Sequence, residues 1–121
     1  MDECAPDIIA GAAGVAVCLG ADFVKVNTPV GADGFMRAQN LRQATMAAGN
    51  TRVICSGGQK RDSKEFLQDL YHQIHTGGAM GVAIGRNIHQ KSLVDAVKFC
   101  SAVAAIVIDD ADLDKALRCL E

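Results

Sequence analysis

The sequence has no tryptophan, and aromatic residues make up 4 % of it. That leaves little from which to build a platform for stacking bases. Charge of one sign is also missing: the formal net charge is −2, so nothing draws the chain to nucleic acid or to an anionic membrane surface. The acidic start carries no basic stretch ahead of the first apolar run, Asp7 to Leu19, as a secretory signal would need. That run is too short, and too rich in small residues, to span a bilayer. No C-x-x-C pair occurs among Cys4, Cys18, Cys55, Cys100 and Cys119, so neither a zinc knuckle nor a thioredoxin-like site is indicated. Four of the five lie among apolar residues, which reads as buried, reduced thiols in a reducing compartment. A cytoplasmic protein is the resulting expectation.

What is present is an ordinary globular composition, half hydrophobic and 21 % charged, in a chain of 121 residues. That length suits a single domain over residues 1–121 with a core of its own. Helical and extended patterns alternate. Pro6 opens a helix that ends near Gly20. Ala21 to Thr28 reads as a strand stopped by Pro29. Phe35 to Ala48 reads as a helix with Met36, Leu41, Ala44 and Ala48 near one face. Arg52 to Cys55 is an apolar strand followed by the turn Ser56-Gly57-Gly58. Ser63 is the expected N-cap of a helix carrying Phe66, Leu67, Leu70 and Ile74. Met80 to Ile84 is a third strand stopped by Gly85. Ser92 caps a long helix through Val107, and a short amphipathic helix follows within Asp110 to Leu120. Continuous apolar strands alternating with helices predict a parallel sheet covered by helices. A closed (β/α)8 barrel needs eight strands and about 250 residues. The three strands read here would form part of one, with exposed edges that invite self-association.

Three places could carry chemistry. In Phe23-Val24-Lys25-Val26-Asn27, alternation sends Val24 and Val26 to one side and Phe23, Lys25 and Asn27 to the other. A lysine held among apolar groups loses solvation of its charged form and becomes a candidate Schiff-base nucleophile. The same segment also fits a solvent-facing gatekeeper lysine. Ser56-Gly57-Gly58 follows the second strand, and consecutive glycines let backbone N–H groups approach an anion. Gly85-Arg86-Asn87 follows the third, where Arg86 could grip a phosphate. Each turn alone also fits a plain strand-to-helix connection. Together they match the corners after the last two strands of a (β/α)8 enzyme, where phosphate commonly binds. His72 and His75 read as a solvated helix face, Tyr71 as packing, His89 as shaping its loop, and Gln59 to Asp62 as a solvated loop with Lys60 near the anion. Asp109 to Asp112 reads as a turn and an N-cap. A receiver-type sheet would need an acidic cluster at its strand ends, which Asp22 does not supply.

At these residues the chain resembles a known family. GADFVKVNTP (Gly20 to Pro29) is similar to the Schiff-base strand, the sixth, of class I aldolases related to the archaeal fructose-bisphosphate enzymes. RVICSGGQKRDSKEFL (Arg52 to Leu67) is similar to strand seven with its phosphate turn. GGAMGVAIGRNIHQ (Gly77 to Gln90) resembles strand eight, with the G-R-N-I-x-Q block. The resemblance implies the last three β/α units of an aldolase barrel, its C-terminal half. It implies a Schiff base on Lys25, and a substrate phosphate bound by Ser56, Gly57, Gly58, Gly85 and Arg86. It further implies a sugar phosphate as substrate, no metal and no other cofactor. The general acid/base that such enzymes take from earlier strands maps onto no residue here. Two alternatives are a related Schiff-base synthase or thiolase acting on another keto-phosphate, and a non-catalytic half-barrel for phosphate binding or assembly.

Overall fold

The computed structural model describes residues 2–34 and 38–121. The Phe35–Met36 start read for the second helix lies outside them. Helix α1 (Pro6–Cys18) has Pro at its first positions and Asp7 in its first turn. A proline there loses no needed hydrogen bond, and the carboxylate meets the positive end of the helix dipole. The helix closes where Gly20 takes φ +79°. Strand β1 (Phe23–Val26) leads through α2 (Ala38–Ala47) to β2 (Arg52–Ser56), and on through α3 (Ser63–His75) to β3 (Gly81–Ala83). The strands are parallel in the order β1-β2-β3, as their apolar character predicts. A one-turn α4 (Arg86–His89), absent from the sequence reading, precedes α5 (Leu93–Val107) and α6 (Leu113–Arg118). Among the described residues no helix is long and apolar enough to cross a membrane.

The chain forms two compact units. The first comprises residues 1–56 and 72–83, the second 57–71 and 84–121. In the first unit, register decides which side chains meet. Val24 pairs with Val53, and Val26 with Cys55; Cys55 pairs with Val82. Partners in a sheet share a face. That face packs on the helices, in a core that joins Ile9, Ala10 and Ala13 of α1 to Leu41 and Ala44 of α2, with Val26, Val53 and Cys55 beneath. Hydroxyls fasten the unit's edges: Thr51 Oγ1 donates to the Ala21 carbonyl at 2.8 Å, and Thr45 Oγ1 to the Gly77 carbonyl at 2.7 Å. Gly77 has no room for a side chain, since a Cβ would lie 2.7 Å from the Gln73 carbonyl oxygen and 2.9 Å from Leu41.

The second unit is built on aromatic packing. Phe66 and Phe99 meet edge to face at 5.3 Å, an arrangement favoured by the ring quadrupoles. Arg61 lies 5.1 Å over Phe66 and pairs with Asp69. Ser92 caps α5 as expected, accepting from the Asp95 amide. Asp112 caps α6, after a turn in which Asp110 adopts φ 51°. The cap of α3 differs from expectation. Asp62 Oδ1 accepts the amides of Lys64 at 2.9 Å and Glu65 at 3.1 Å, whereas Ser63 is the first helical residue and its Oγ accepts from Lys91 Nζ at 2.6 Å. A carboxylate two or three residues before the amides reaches them better than the hydroxyl within the first turn. These amide bonds hold the Asp62 carboxyl below its usual value of 3.8.

The cysteines also depart from expectation. Cys55 is buried, but Cys18 and Cys100 are exposed and Cys4 and Cys119 half-buried. Apolar neighbours in sequence do not bury a thiol that the helix turns outward. Burial pushes the Cys55 thiol up to about 11, partly offset by its hydrogen bond with Thr28. A raised native pKa stabilises the protonated fold fully below pH 9.0, and that stability is lost as pH climbs toward the native value. In native protein at pH 9, iodoacetamide should therefore modify Cys18 and Cys100 and spare Cys55; rapid labelling of Cys55 under those conditions contradicts the assignment. For Gly77→Ala, urea denaturation should show a loss of about 1–3 kcal/mol from overpacking.

Candidate active site

Of the three places singled out for chemistry, Lys25 lies within β1, Ser56 ends β2 ahead of Gly57 and Gly58, and Gly85 and Arg86 follow β3. In β1 the outward alternation is as read: Val26 is buried and Val24 half-buried, while Phe23, Lys25 and Asn27 are exposed. Lys25 itself therefore departs from the buried amine that the apolar neighbours suggested. The helices of its unit cluster their apolar residues with Val26, Val53 and Cys55 on the opposite face. They leave Phe23 55 % exposed beside Lys25.

Register extends this face. Lys25 pairs with Ile54, and Ile54 with Gly81. Ser56, two residues beyond Ile54, pairs with Ala83. Lys25, Ile54, Ser56, Gly81 and Ala83 therefore share one side of the sheet. An amine and a hydroxyl stand on adjacent strands there, and the third strand contributes only glycine and alanine. Behind the exit of β1, Gln73 Nε2 donates to Thr28 Oγ1 at 2.9 Å. Gln73 is 7 % exposed, and sequence inspection did not single it out, because mid-helix glutamine is normally solvated.

The second unit holds the two turns. Gly58 adopts φ +68°, a conformation glycine takes at no steric cost. Gly85 precedes α4 without a side-chain cap, and a Cβ built on it would meet nothing within 4 Å. Between the turns lies Asn87, 1 % exposed. Its Nδ2 donates to the Gly57 carbonyl at 3.1 Å and to the Gln59 carbonyl at 3.0 Å. Its Oδ1 accepts the Arg61 amide at 3.0 Å. Both donors and the acceptor of one carboxamide are thus spent on main chain of the Gly-Gly turn. The sequence reading placed Asn87 in the Gly-Arg turn but gave it no role. The available signal was an asparagine in the short G-R-N-I-x-Q block after the third strand. Arg86, exposed at the start of α4, is free of that packing role. Lys60, placed near the anion by the sequence reading, donates to the Gln90 carbonyl at 2.7 Å. His72, His75 and His89 are exposed, and no group of His, Cys, Asp or Glu among the described residues is arranged to hold a metal.

Residues 1–91 match the model of the DeoC/LacD family of aldolases. The chain belongs to that family. It is 49 % identical over 117 residues to the fructose-bisphosphate aldolase/6-deoxy-5-ketofructose 1-phosphate synthase of Methanocaldococcus jannaschii, covering 97 % of this chain and 37 % of that protein. A solved fructose-bisphosphate aldolase from Slackia heliotrinireducens superimposes with a TM-score of 0.91 and 55 % identity, over 98 % of this chain and 37 % of that one. An archaeal fructose-1,6-bisphosphate aldolase, solved with its catalytic lysine covalently bound to the carbinolamine intermediate of the substrate, superimposes with a TM-score of 0.75 and 34 % identity over 88 % of this chain and 39 % of its own. The chain thus spans a little over a third of the length of these relatives. Its α/β fold with a parallel three-stranded sheet matches that portion of an aldolase barrel.

Replacing Asn87 with alanine strands two carbonyls and one amide. The expected cost is about 1–3 kcal/mol, with faster hydrogen exchange at the Arg61 amide. Unchanged exchange there would show that the turn holds its shape without the carboxamide.

Proposed function

We propose that this chain carries the Schiff-base and phosphate-binding part of a class I fructose-bisphosphate aldolase, which cleaves fructose 1,6-bisphosphate reversibly to dihydroxyacetone phosphate and glyceraldehyde 3-phosphate. Membership of the aldolase family supports the reaction class. The observation that carries the assignment within the chain is the shared sheet face of Lys25 and Ser56. Lys25 is the nucleophile. Ser56, Gly57 and Gly58 take the substrate phosphate through hydroxyl and backbone N–H groups, and Gly85 and Arg86 complete the grip.

The chemistry follows from an amine meeting a ketone. The free amine of Lys25 adds to the carbonyl carbon, giving a carbinolamine that loses water to become an iminium ion. The iminium draws the electron pair of the bond between the next two carbons. That bond breaks as the hydroxyl proton on the far carbon leaves, releasing the aldehyde and an enamine. Protonation of the enamine and hydrolysis return the lysine and the ketone phosphate. The protonated imine serves as the electron sink, so the step requires no cofactor. The acid/base that moves the hydroxyl proton lies outside the residues assigned here.

In this reading the chain is one domain equivalent to strands six to eight of the barrel. It acts in the cytoplasm, on a sugar phosphate, within a homo-oligomer. The two edge strands of the three-stranded sheet, β1 and β3, support such association. One finding favours a second substrate: the Methanocaldococcus jannaschii relative is also named a 6-deoxy-5-ketofructose 1-phosphate synthase. The same lysine and phosphate grip would serve another keto-phosphate.

Incubation with dihydroxyacetone phosphate followed by borohydride should leave a reduced adduct on the Lys25 peptide. Lys25→Met should keep the fold, because an exposed side chain is exchanged, and should lose the adduct. An adduct elsewhere, or an unmodified Lys25 peptide, defeats the assignment.

A further inference from the structure

A cavity of about 420 Å³ opens in the second unit, lined by Lys60, Lys91 and Lys98 together with Ser63, Ser92 and Asp95. The lining side chains, three cations against one carboxylate, sum to a formal +2 (3 − 1), with Lys98 also met by the main-chain carboxyl end at Glu121. Each ammonium is held in place. Lys60 Nζ donates to the Gln90 carbonyl at 2.7 Å. Lys91 Nζ donates to Ser63 Oγ at 2.6 Å and lies 4.9 Å over the Phe99 ring. Lys98 Nζ donates to the main-chain oxygen of Glu121 at 2.6 Å. Asp95, the one acid of the lining, is engaged with Ser92 at 2.7 Å. Among the described residues no side-chain carboxylate forms an ion pair with any of the three lysines.

An ammonium carries three donors. One is used on each lysine, so each retains N–H groups for a ligand. Holding several like charges around one cavity is unfavourable unless an anion or solvent screens them. The amino end of the fifteen-residue α5, capped at Ser92, adds a partial positive charge on the same side. Fixed cations lining a concave volume are what a small anion selects.

We propose that this cavity is a second anion-binding site, separate from the Gly-Gly and Gly-Arg turns, for a small molecule bearing two or more oxyanion groups. The proposal is independent of the aldol reading. It does bear on the turn nearby: Lys60 lies between Gln59 and Arg61, whose main-chain groups Asn87 holds. An occupant that fixes Lys60 stabilises the turn through its own chain.

The test uses inorganic pyrophosphate in calorimetric titration of the full chain carrying Arg86→Ala, which weakens the proposed substrate-phosphate grip. Pyrophosphate should still bind. Adding Lys91→Gln and Lys98→Gln should weaken that binding by roughly tenfold or more, since charge-assisted bonds are lost. Circular dichroism checks that the fold persists, and the exposed Lys60→Gln provides a third variant that leaves Phe99 and Ser63 undisturbed. Competition by succinate would assign the site to dicarboxylates as well as phosphates, and absence of competition to phosphate compounds. No pyrophosphate binding in the Arg86→Ala chain, or equal binding after all three lysine substitutions, overturns the proposal.

Discussion

The geometry of the candidate phosphate corner depends on one buried carboxamide. Asn87 spends its two N–H donors on the Gly57 and Gln59 carbonyls and its oxygen on the Arg61 amide. These hydrogen bonds are part-buried, and losing one there costs about 1 kcal/mol. A glycine pair has wide conformational freedom and is a poor anion site until something restricts it. Asn87 supplies the restriction, and α4 delivers it: the one-turn helix after Gly85 aims the carboxamide back at the preceding β-α turn. Arg86 and Asn87 thus divide the labour of one short motif, the first exposed and the second buried.

The sheet contributes a different constraint, the two-residue period of a strand. Because Val24, Val26, Val53 and Cys55 must face the helices, Lys25 and Ser56 are forced to the other side. A slip of one residue in β1 would bury the amine and expose Val24 and Val26, and one in β2 would expose Val53 and Cys55, each at the cost of apolar burial. The packing of one face therefore fixes the placement of the proposed reactive groups on the other. Small residues at Gly81 and Ala83 keep the third strand of that face low.

Much of this was legible in the sequence, and the reasons for the rest are physical. The order of helices and strands followed from periodicity and from Pro6, Pro29 and the glycine pairs. The sides of β1 followed from alternation, and the caps at Ser92 and Asp112 from chemistry local to their turns. Burial was less legible. Lys25 and Cys18 have apolar neighbours along the chain, yet which element covers a side chain is a tertiary fact. Asp62 displaced Ser63 as the cap of α3 because reach to two amides cannot be read from residue preference alone. Asn87, Gln73 and the lysine-lined cavity escaped for one shared reason. Each depends on partners 23–45 residues away in the chain, and a single sequence contains no trace of which distant groups will meet.

The central claim, that a buried carboxamide preorganises an anion corner, is open to one direct measurement. Titration of inorganic phosphate, followed through the Gly57 and Gly58 amide resonances, compares the native chain with Asn87→Ala. The account predicts saturable shifts in the native chain and a requirement for roughly tenfold more phosphate in the variant, as the lost hydrogen bonds imply. Shifts that saturate at the same phosphate concentration in both would contradict it.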